Sequence, residues 1–249
     1  MSTRAPASAR LVPPDGAVSR AASLDWPRIA ATLEEVGWAT TGALLRPEEC
    51  RDLRAAYRRD ALFRSRIDMA RHRFGRGEYR YFAYPLPGIV GELRKDLYAR
   101  LAPLANRWQE RLGQPRRFPT AHAEYLARCH GAGQTRPTPL LLRYEAGDYN
   151  RLHQDLYGEH VFPLQVAILL SAPGADFTGG EFVLTEQRAR TQSRAHVVPL
   201  AQGEGVIFAV NERPVRSTRG SYRVQMRHGV SDVRSGERYV LGLIFHDAG

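Results

Sequence analysis

The segment Leu140-Leu-Leu-Arg-Tyr-Glu-Ala-Gly-Asp-Tyr-Asn-Arg-Leu-His-Gln-Asp155 decides how the chain folds. An apolar run leads into Tyr144 and Gly147, then into a histidine and a carboxylate two positions apart. On a helix, residues i and i+2 point roughly 200° apart and cannot share an ion. On extended backbone they face the same side, so His153 and Asp155 can both address one metal. An imidazole and a carboxylate on one edge are two of the three groups of a two-histidine, one-carboxylate facial triad. That donor set holds iron(II) and leaves coordination positions open. A single H-x-D pair is a weak signal in a chain with 8 histidines, so a third ligand is required.

His130, His160, His196, His228 and His246 compete for that role. His228 lies in Tyr222–Val233, which reads as a strand. A turn signal follows at Ser235-Gly236, and Glu237–Phe245 reads as an apolar strand returning past His228. Arg238 sits on that return. With a hairpin turning near Ser235, Arg238 is offset from His228 by about four residues, roughly 13 Å of ladder. A five-carbon dicarboxylate spans about 6 Å, and an extended arginine stem covers a comparable distance. His228 can therefore hold a metal while Arg238 grips the far end of a chelated 2-oxo-dicarboxylate. Neither His196 nor His246 has an arginine ten positions on, which favours His228.

His153-x-Asp155, then His228, then Arg238, resembles the 2-oxoglutarate/iron(II)-dependent dioxygenases, in particular their prolyl-hydroxylase-like branch. The Tyr144-x-x-Gly147 step and the Gly179-Gly-Glu-Phe182 strand opening add to the likeness, which extends from about Leu24 and looks closest to a bacterial group. The resemblance implies an α+β chain with a double-stranded β-helix (jelly roll) and N-terminal supporting helices packed on one face. His153, Asp155 and His228 would be both the iron(II) ligands and the catalytic centre. Arg238, with the Tyr144 hydroxyl beside it, would bind 2-oxoglutarate as co-substrate with O2. Decarboxylation of 2-oxoglutarate to succinate would drive hydroxylation of a substrate C–H bond; ascorbate dependence stays open. Halogenating relatives have a small residue where Asp155 stands, so the resemblance implies hydroxylation or demethylation instead.

The resemblance leaves the primary substrate open. A protein or peptide side chain is the first expectation. Oxidative demethylation of nucleic acid is the alternative, which the arginine-rich charge favours. Against it, the repair dioxygenases carry a second arginine six positions after the first, and here that position is Ile244. A non-catalytic, cupin-like metal or ligand binder is a third reading, and Arg238 argues against it.

At 249 residues the chain can bury a full core in one domain. We expect a disordered arm over residues 1–22 and a single dioxygenase domain over 23–249, with helical support at 23–136 and the jelly-roll core at 137–249. No run approaches a membrane span of ~18 apolar residues. The start lacks the apolar core of a secretion signal. Cys50 and Cys129 are too few and too far apart for a disulfide framework, so a cytoplasmic location is expected. The net charge is +10, and Lys95 is the only lysine. Arginine used as a general surface cation explains this, or an anionic partner does.

Asp25 is placed to cap a helix starting near Pro27 and ending at Gly37, and Pro47 to open a second. Val90, Leu93, Leu97, Leu101, Leu104, Trp108 and Leu112 repeat at threes and fours, giving a long helix with one core stripe. Short strands separated by turn clusters follow from Pro137, the pattern of a double-sheet barrel or jelly roll. Helices preceding strands should cover one outer face of an antiparallel sheet. The segment 61–87 interleaves arginines with Phe63, Phe74, Tyr79, Tyr81, Phe82 and Tyr84. It reads as a β-hairpin packed on the core, or as a substrate wall for bases or an extended peptide. Arg188, Arg190 and Arg194 beside Glu186 read as a solvated edge or a substrate contact. His160 is placed on a loop, and His196 at a strand end.

Overall fold

A computed structural model describes residues 15–218 and 220–249. Helices α1 (Asp15–Ala22) and α2 (Trp26–Val36) are followed by β1 (Trp38–Ala43) and α3 (Pro47–Ala56). Next come β2 (Phe63–Asp68), β3 (Gly75–Arg76) and β4 (Glu78–Phe82), then α4 (Gly88–Arg111) and α5 (His122–Gly131). The remaining strands are β5 (Leu140–Glu145), β6 (Tyr149–His153), β7 (Leu164–Leu169), β8 (Phe177–Gly179) and β9 (Phe182–Gln187). After them run β10 (Arg194–Val198), β11 (Glu204–Ala209), β12 (Glu212–Ser217), β13 (Gly220–Val230) and β14 (Val233–Leu243).

Local chemistry explains the helix limits. The Asp25 carboxylate accepts from the Arg28 N–H, Pro27 stands in the first turn, and Gly37 closes α2 in the left-handed conformation. Pro47 opens α3 with Glu48 and Glu49 in the first turn, where the helix dipole favours acids. Along α4 the expected stripe is buried, from Val90 to Trp108. Each such large side chain contributes about 1.5–3 kcal/mol by leaving water.

Residues 1–14 of the arm expected over 1–22 lie outside the described residues. Asp15–Ala22 differs from the expectation, because it is the helix α1. It packs beside α4 with Ala17 and Ala21 fully buried, and the Arg20 guanidinium donates to the Leu44 carbonyl and pairs with Glu49. A stretch without strong apolar periodicity is helical here because tertiary packing supplies what an isolated short helix lacks.

The strands form two antiparallel sheets facing each other as a jelly roll. The larger runs β1-β11-β7-β14-β5-β4-β2, with β8 beside β14; the smaller runs β10-β9-β13-β6-β3, with β12 beside β13. Alternation along β14 separates the two faces of the larger sheet. Tyr239 and Leu241 join the core shared with the helices, whereas Arg238, Val240 and Gly242 line a cavity between the sheets. The helices therefore cover the outer face, as their order in the chain predicts. Arg94 of α4 fastens the C-terminal residues: it pairs with the buried Asp247 at 2.8 Å and donates to the carbonyls of Ile244 and His246. No described helix is long and apolar enough to cross a membrane.

Within the 61–87 segment β2 and β4 pair as the expected hairpin, and β4 continues the larger sheet onto β5. Between them, β3 pairs with β6 of the smaller sheet. The segment thus bridges both sheets.

The return after His228 corrects a sequence expectation. β13 and β14 are not partners: β13 pairs with β6, β9 and β12, and β14 with β5, β7 and β8. The chain turns at Ser231-Asp232 and crosses to the facing sheet. Ser235 and Gly236 lie inside β14, at an irregularity in its pairing with β8. The irregularity falls before Gly236, between Val233 and Ser235; Gly236 pairs with Phe177 at φ +75°, where a Cβ would stand 2.0 Å from the Asp176 carbonyl oxygen, so close backbone approach and not a turn accounts for the glycine.

Candidate metal centre

Register brings the two histidines together. His228 of β13 stands directly opposite His153 of β6, so both side chains leave the same face. Their ring centroids are 4.2 Å apart. Asp155, two residues beyond His153, lies between them: its Oδ1 is 3.5 Å from His153 Nε2 and its Oδ2 is 3.3 Å from His228 Nε2. One ligand atom from each residue falls within 4.8 Å of the others.

Neighbouring groups fix these donors. His153 Nδ1 lies 2.7 Å from the Arg151 carbonyl, which can only accept, so the proton sits on Nδ1 and Nε2 keeps its lone pair. The Tyr157 hydroxyl donates to Asp155 Oδ1 at 2.7 Å, and Gln165 Nε2 donates to Oδ2 at 3.0 Å. Burial alone would raise the Asp155 carboxyl, but the hydrogen bond and charge of His228, then His153 and Tyr157, hold it well below the usual carboxylate range. Burial, then the nearby His228, pushes the His153 imidazole down against the pull of Asp155. An ionised carboxylate and a neutral imidazole are the forms that bind a divalent metal. Two nitrogens and one oxygen on one side of a cavity fit iron(II) with positions to spare.

Arg238 opens into the same cavity, which has a volume of ≈ 200 Å³. It reaches there from the facing sheet, where it is opposite Tyr144 in the β14–β5 ladder. Its guanidinium carbon lies 5.6 Å from the centre of the Tyr144 ring and 5.9 Å from that of Phe177. The residue is 2% exposed, and Nε and Nη1 have no hydrogen-bond partner among the described residues. Burial lowers its pKa to about 10, against the opposing influence of Tyr144 and Glu181. A buried guanidinium with unmet donors is expensive unless an anion completes it. Gly180 makes room for the stem: it adopts φ +62°, and a Cβ there would lie 2.8 Å from Arg238 Cδ. Tyr144 is fully buried in the cavity wall, with its hydroxyl 3.3 Å from the Asn150 amide.

The competing histidines lie elsewhere. His130 pairs with Asp247, and His196 packs edge-on to Trp38. The buried His246 takes a bond from the Phe162 N–H, and the backbone N–H of His160 donates to Gln134. Arg188 pairs with Glu186, which also holds the buried Arg213. Neither Arg188, Arg190 nor Arg194 lines the cavity. Tyr157 and Gln165 are the two residues that sequence reasoning missed. Gln165 had left a signal, a polar amide inside the apolar run Phe162–Ser171.

A family model described as an oxygenase catalysing oxidative methylation of damaged DNA matches residues 77–248. A protein of Mycobacterium tuberculosis (strain CDC 1551 / Oshkosh), itself uncharacterised, is 53% identical over 167 residues, covering 67% of this chain and 72% of that protein. Among solved structures, an oxidoreductase of the 2OG-Fe(II) oxygenase family from Burkholderia pseudomallei superposes with a TM-score of 0.54 at 18% identity. The match covers 91% of this chain and 94% of that one. A prolyl hydroxylase from Trichoplax adhaerens, in complex with a hypoxia inducible factor peptide fragment, gives 0.53 at 15% identity over 90% and 89%. The two structures share this fold.

Proposed function

Since the chain belongs to the oxygenase family whose model covers residues 77–248, we propose that it is an iron(II)- and 2-oxoglutarate-dependent dioxygenase oxidising a methyl C–H bond on a nucleic-acid base. The observation that carries this reading is the unpartnered Arg238 guanidinium, buried in the same cavity as the His153/Asp155/His228 cluster. A metal site alone would not require it; a chelated dicarboxylate does.

When bound, iron(II) supplies activation of O2, coupled to decarboxylation of 2-oxoglutarate, with one oxygen atom entering succinate and the other the substrate C–H bond. His153, Asp155 and His228 hold the metal. Tyr157 and Gln165 fix both oxygens of Asp155, so the carboxylate cannot rotate away. Arg238 offers paired N–H donors to the distal carboxylate, and Tyr144 a hydroxyl beside it. Leu142, Val240, Phe208 and Ile244 make the walls largely apolar, which excludes water and strengthens each charged contact.

The family's description moves nucleic acid ahead of the peptide side chain that the sequence alone favoured, and the net charge of +10 agrees with an anionic substrate. The test is iron content and succinate release. His153→Ala, Asp155→Ala and His228→Ala should each weaken iron binding by more than the ~10–100-fold typical of losing an outer partner, and stop succinate release. His196→Ala should do neither. Mass spectrometry of methylated oligonucleotides after turnover should show loss of a CH2 mass. Oxygen added to peptides with every oligonucleotide unchanged would overturn the substrate class.

A further inference from the structure

Phe74 lines the cavity together with His153, yet 48% of it is exposed. The His72 ring stacks on it, with centroids 5.4 Å apart and planes 19° from parallel. Backbone contacts fix the ring's position. The Phe74 N–H donates to the Met69 carbonyl at 3.1 Å, and its own carbonyl accepts from the Arg151 N–H at 2.9 Å. Met69 is fully buried. Gly75, at φ +148°, lies so close to β6 that a Cβ would stand 2.3 Å from the Tyr149 carbonyl oxygen. A large apolar ring is therefore held in water at the entrance by a loop anchored on both sides.

Three arginines adjoin it along the backbone. Arg73 precedes Phe74 with φ at 60°. Arg76 pairs with Tyr149 across the β3–β6 ladder, and Arg151 is bonded to Phe74 through the backbone. All three are exposed. Their side chains make no hydrogen bond or ion pair among the described residues. Other arginines of the same segment are matched: Arg66 with Glu78, Arg71 with Asp68 and Arg80 with Asp60. The three exposed arginines without a partner among the described residues are therefore the ones whose backbone adjoins the exposed aromatic.

We propose that Phe74 is a stacking platform for an unpaired base, and that Arg73, Arg76 and Arg151 hold the neighbouring phosphates. The protein then takes its substrate from single-stranded nucleic acid, a conclusion that rests on the nucleic-acid reading above. A base inside a duplex must leave its stack to reach a cavity between two sheets. A fixed aromatic at the entrance replaces the stacking that an unpaired base lacks, and every base offers a π face to it. A guanidinium beside it grips phosphate through paired donors.

The test measures fluorescence anisotropy of a labelled oligothymidylate of about 12 nucleotides, within the span of common single-strand sites. The full chain is used, with a duplex of equal length and a salt series. The single strand should bind more tightly than the duplex. Phe74→Ala should weaken it roughly 5- to 100-fold, while Phe74→Trp retains binding. Each of Arg73→Gln, Arg76→Gln and Arg151→Gln should reduce the slope of log affinity against log salt by about 0.7. Arg216→Gln, whose strand partner Ser221 is far along β13 from His228, should leave the slope unchanged. If the wild type binds the strand but Phe74→Ala and the three arginine variants match it, the platform is wrong and the nucleic-acid reading stands. Tighter binding of the duplex also overturns the proposal. If the wild type binds neither oligonucleotide, both ideas fall together.

Discussion

Replacing Arg238 by Met should move two quantities in opposite directions. Without co-substrate, the wild type keeps a desolvated guanidinium whose Nε and Nη1 donors are unmet. Replacing buried ionic pairs or triads by apolar residues of similar volume is often neutral or stabilising by about 1–4 kcal/mol, and a guanidinium with unmet donors lies toward the stabilising side. For a chain of this size each kcal/mol shifts Tm by ~2–4 °C, so the variant should melt several degrees higher. With 2-oxoglutarate the sign reverses. Two charge-assisted hydrogen bonds of ~1.5–3 kcal/mol each disappear, lowering affinity by roughly two to four powers of ten. The assay is thermal denaturation under nitrogen with manganese(II) in place of iron, with and without 2-oxoglutarate. At a ligand concentration ~100 times Kd the wild type gains about 2.7 kcal/mol, and the variant should gain no more than about 0.4 kcal/mol at that concentration. A variant that melts lower than wild type without ligand, or is stabilised equally by it, refutes the reasoning.

Gly180→Ala should disturb the same anchor from behind. Its methyl would press on Arg238 Cδ and Val233 Cγ2 at a positive φ. Calorimetric titration should show weaker 2-oxoglutarate binding with metal affinity retained, and stability should fall by about 1–2 kcal/mol. Burial first, and then the charge of Arg94, lowers the pKa of His122 and of His246 to about 4 from 6.5. The unfolded chain therefore takes up protons below about pH 6.5 while the folded chain resists until about pH 4. Stability should fall as pH falls through that window, by about 1.4 kcal/mol per unit for each histidine. Urea midpoints should show this, more shallowly in His122→Phe; a flat profile would contradict it. Arg94→Ala takes the guanidinium from the buried Asp247 carboxylate, leaving it only His130 and the Tyr84 hydroxyl, and should cost up to about 3–5 kcal/mol in urea unfolding. Adding Asp247→Asn should restore part of that loss; no recovery would argue against the pair.

The centre was legible because its chemistry is local. Two ligands two residues apart demand extended backbone, and β6 ends at His153. His228 was singled out by the arginine ten positions on, through a supposed hairpin turning near Ser235, which the crossing of β14 to the facing sheet replaces. How that spacing is folded was not legible. Ser235-Gly236 carries a turn signal but lies in a strand, while the real crossing at Ser231-Asp232 has neither glycine nor proline. Outer partners were harder still. Tyr157 and Gln165 meet Asp155 only after β7 and the chain beyond β6 come together, and no periodicity announces that. α1 stayed hidden for a related reason, since small alanines become a core face only once α4 is beside them. The aromatics of 61–87 read correctly as a hairpin, but the pairing of β3 with β6 depends on two residues, too few to form a pattern.

The crossing between β13 and β14 makes the cavity a gauge of length. Only Ser231 and Asp232 separate the strand carrying His228 from the strand carrying Arg238, and bonds hold the link on both sides. The Ser231 N–H donates to the Glu181 carbonyl, the Gly180 N–H to the Asp232 carbonyl, and the Val233 N–H to the Asp148 carbonyl. With the two ends of the site tied by so short and so fastened a span, neither sheet can slide to suit a different ligand. With Arg238 anchoring the co-substrate as proposed, 2-oxo diacids one carbon shorter or longer than 2-oxoglutarate should bind more weakly, because they leave guanidinium donors unmet. Each donor left unmet costs about 1–3 kcal/mol, so a single methylene group added or removed should be felt about fivefold or more.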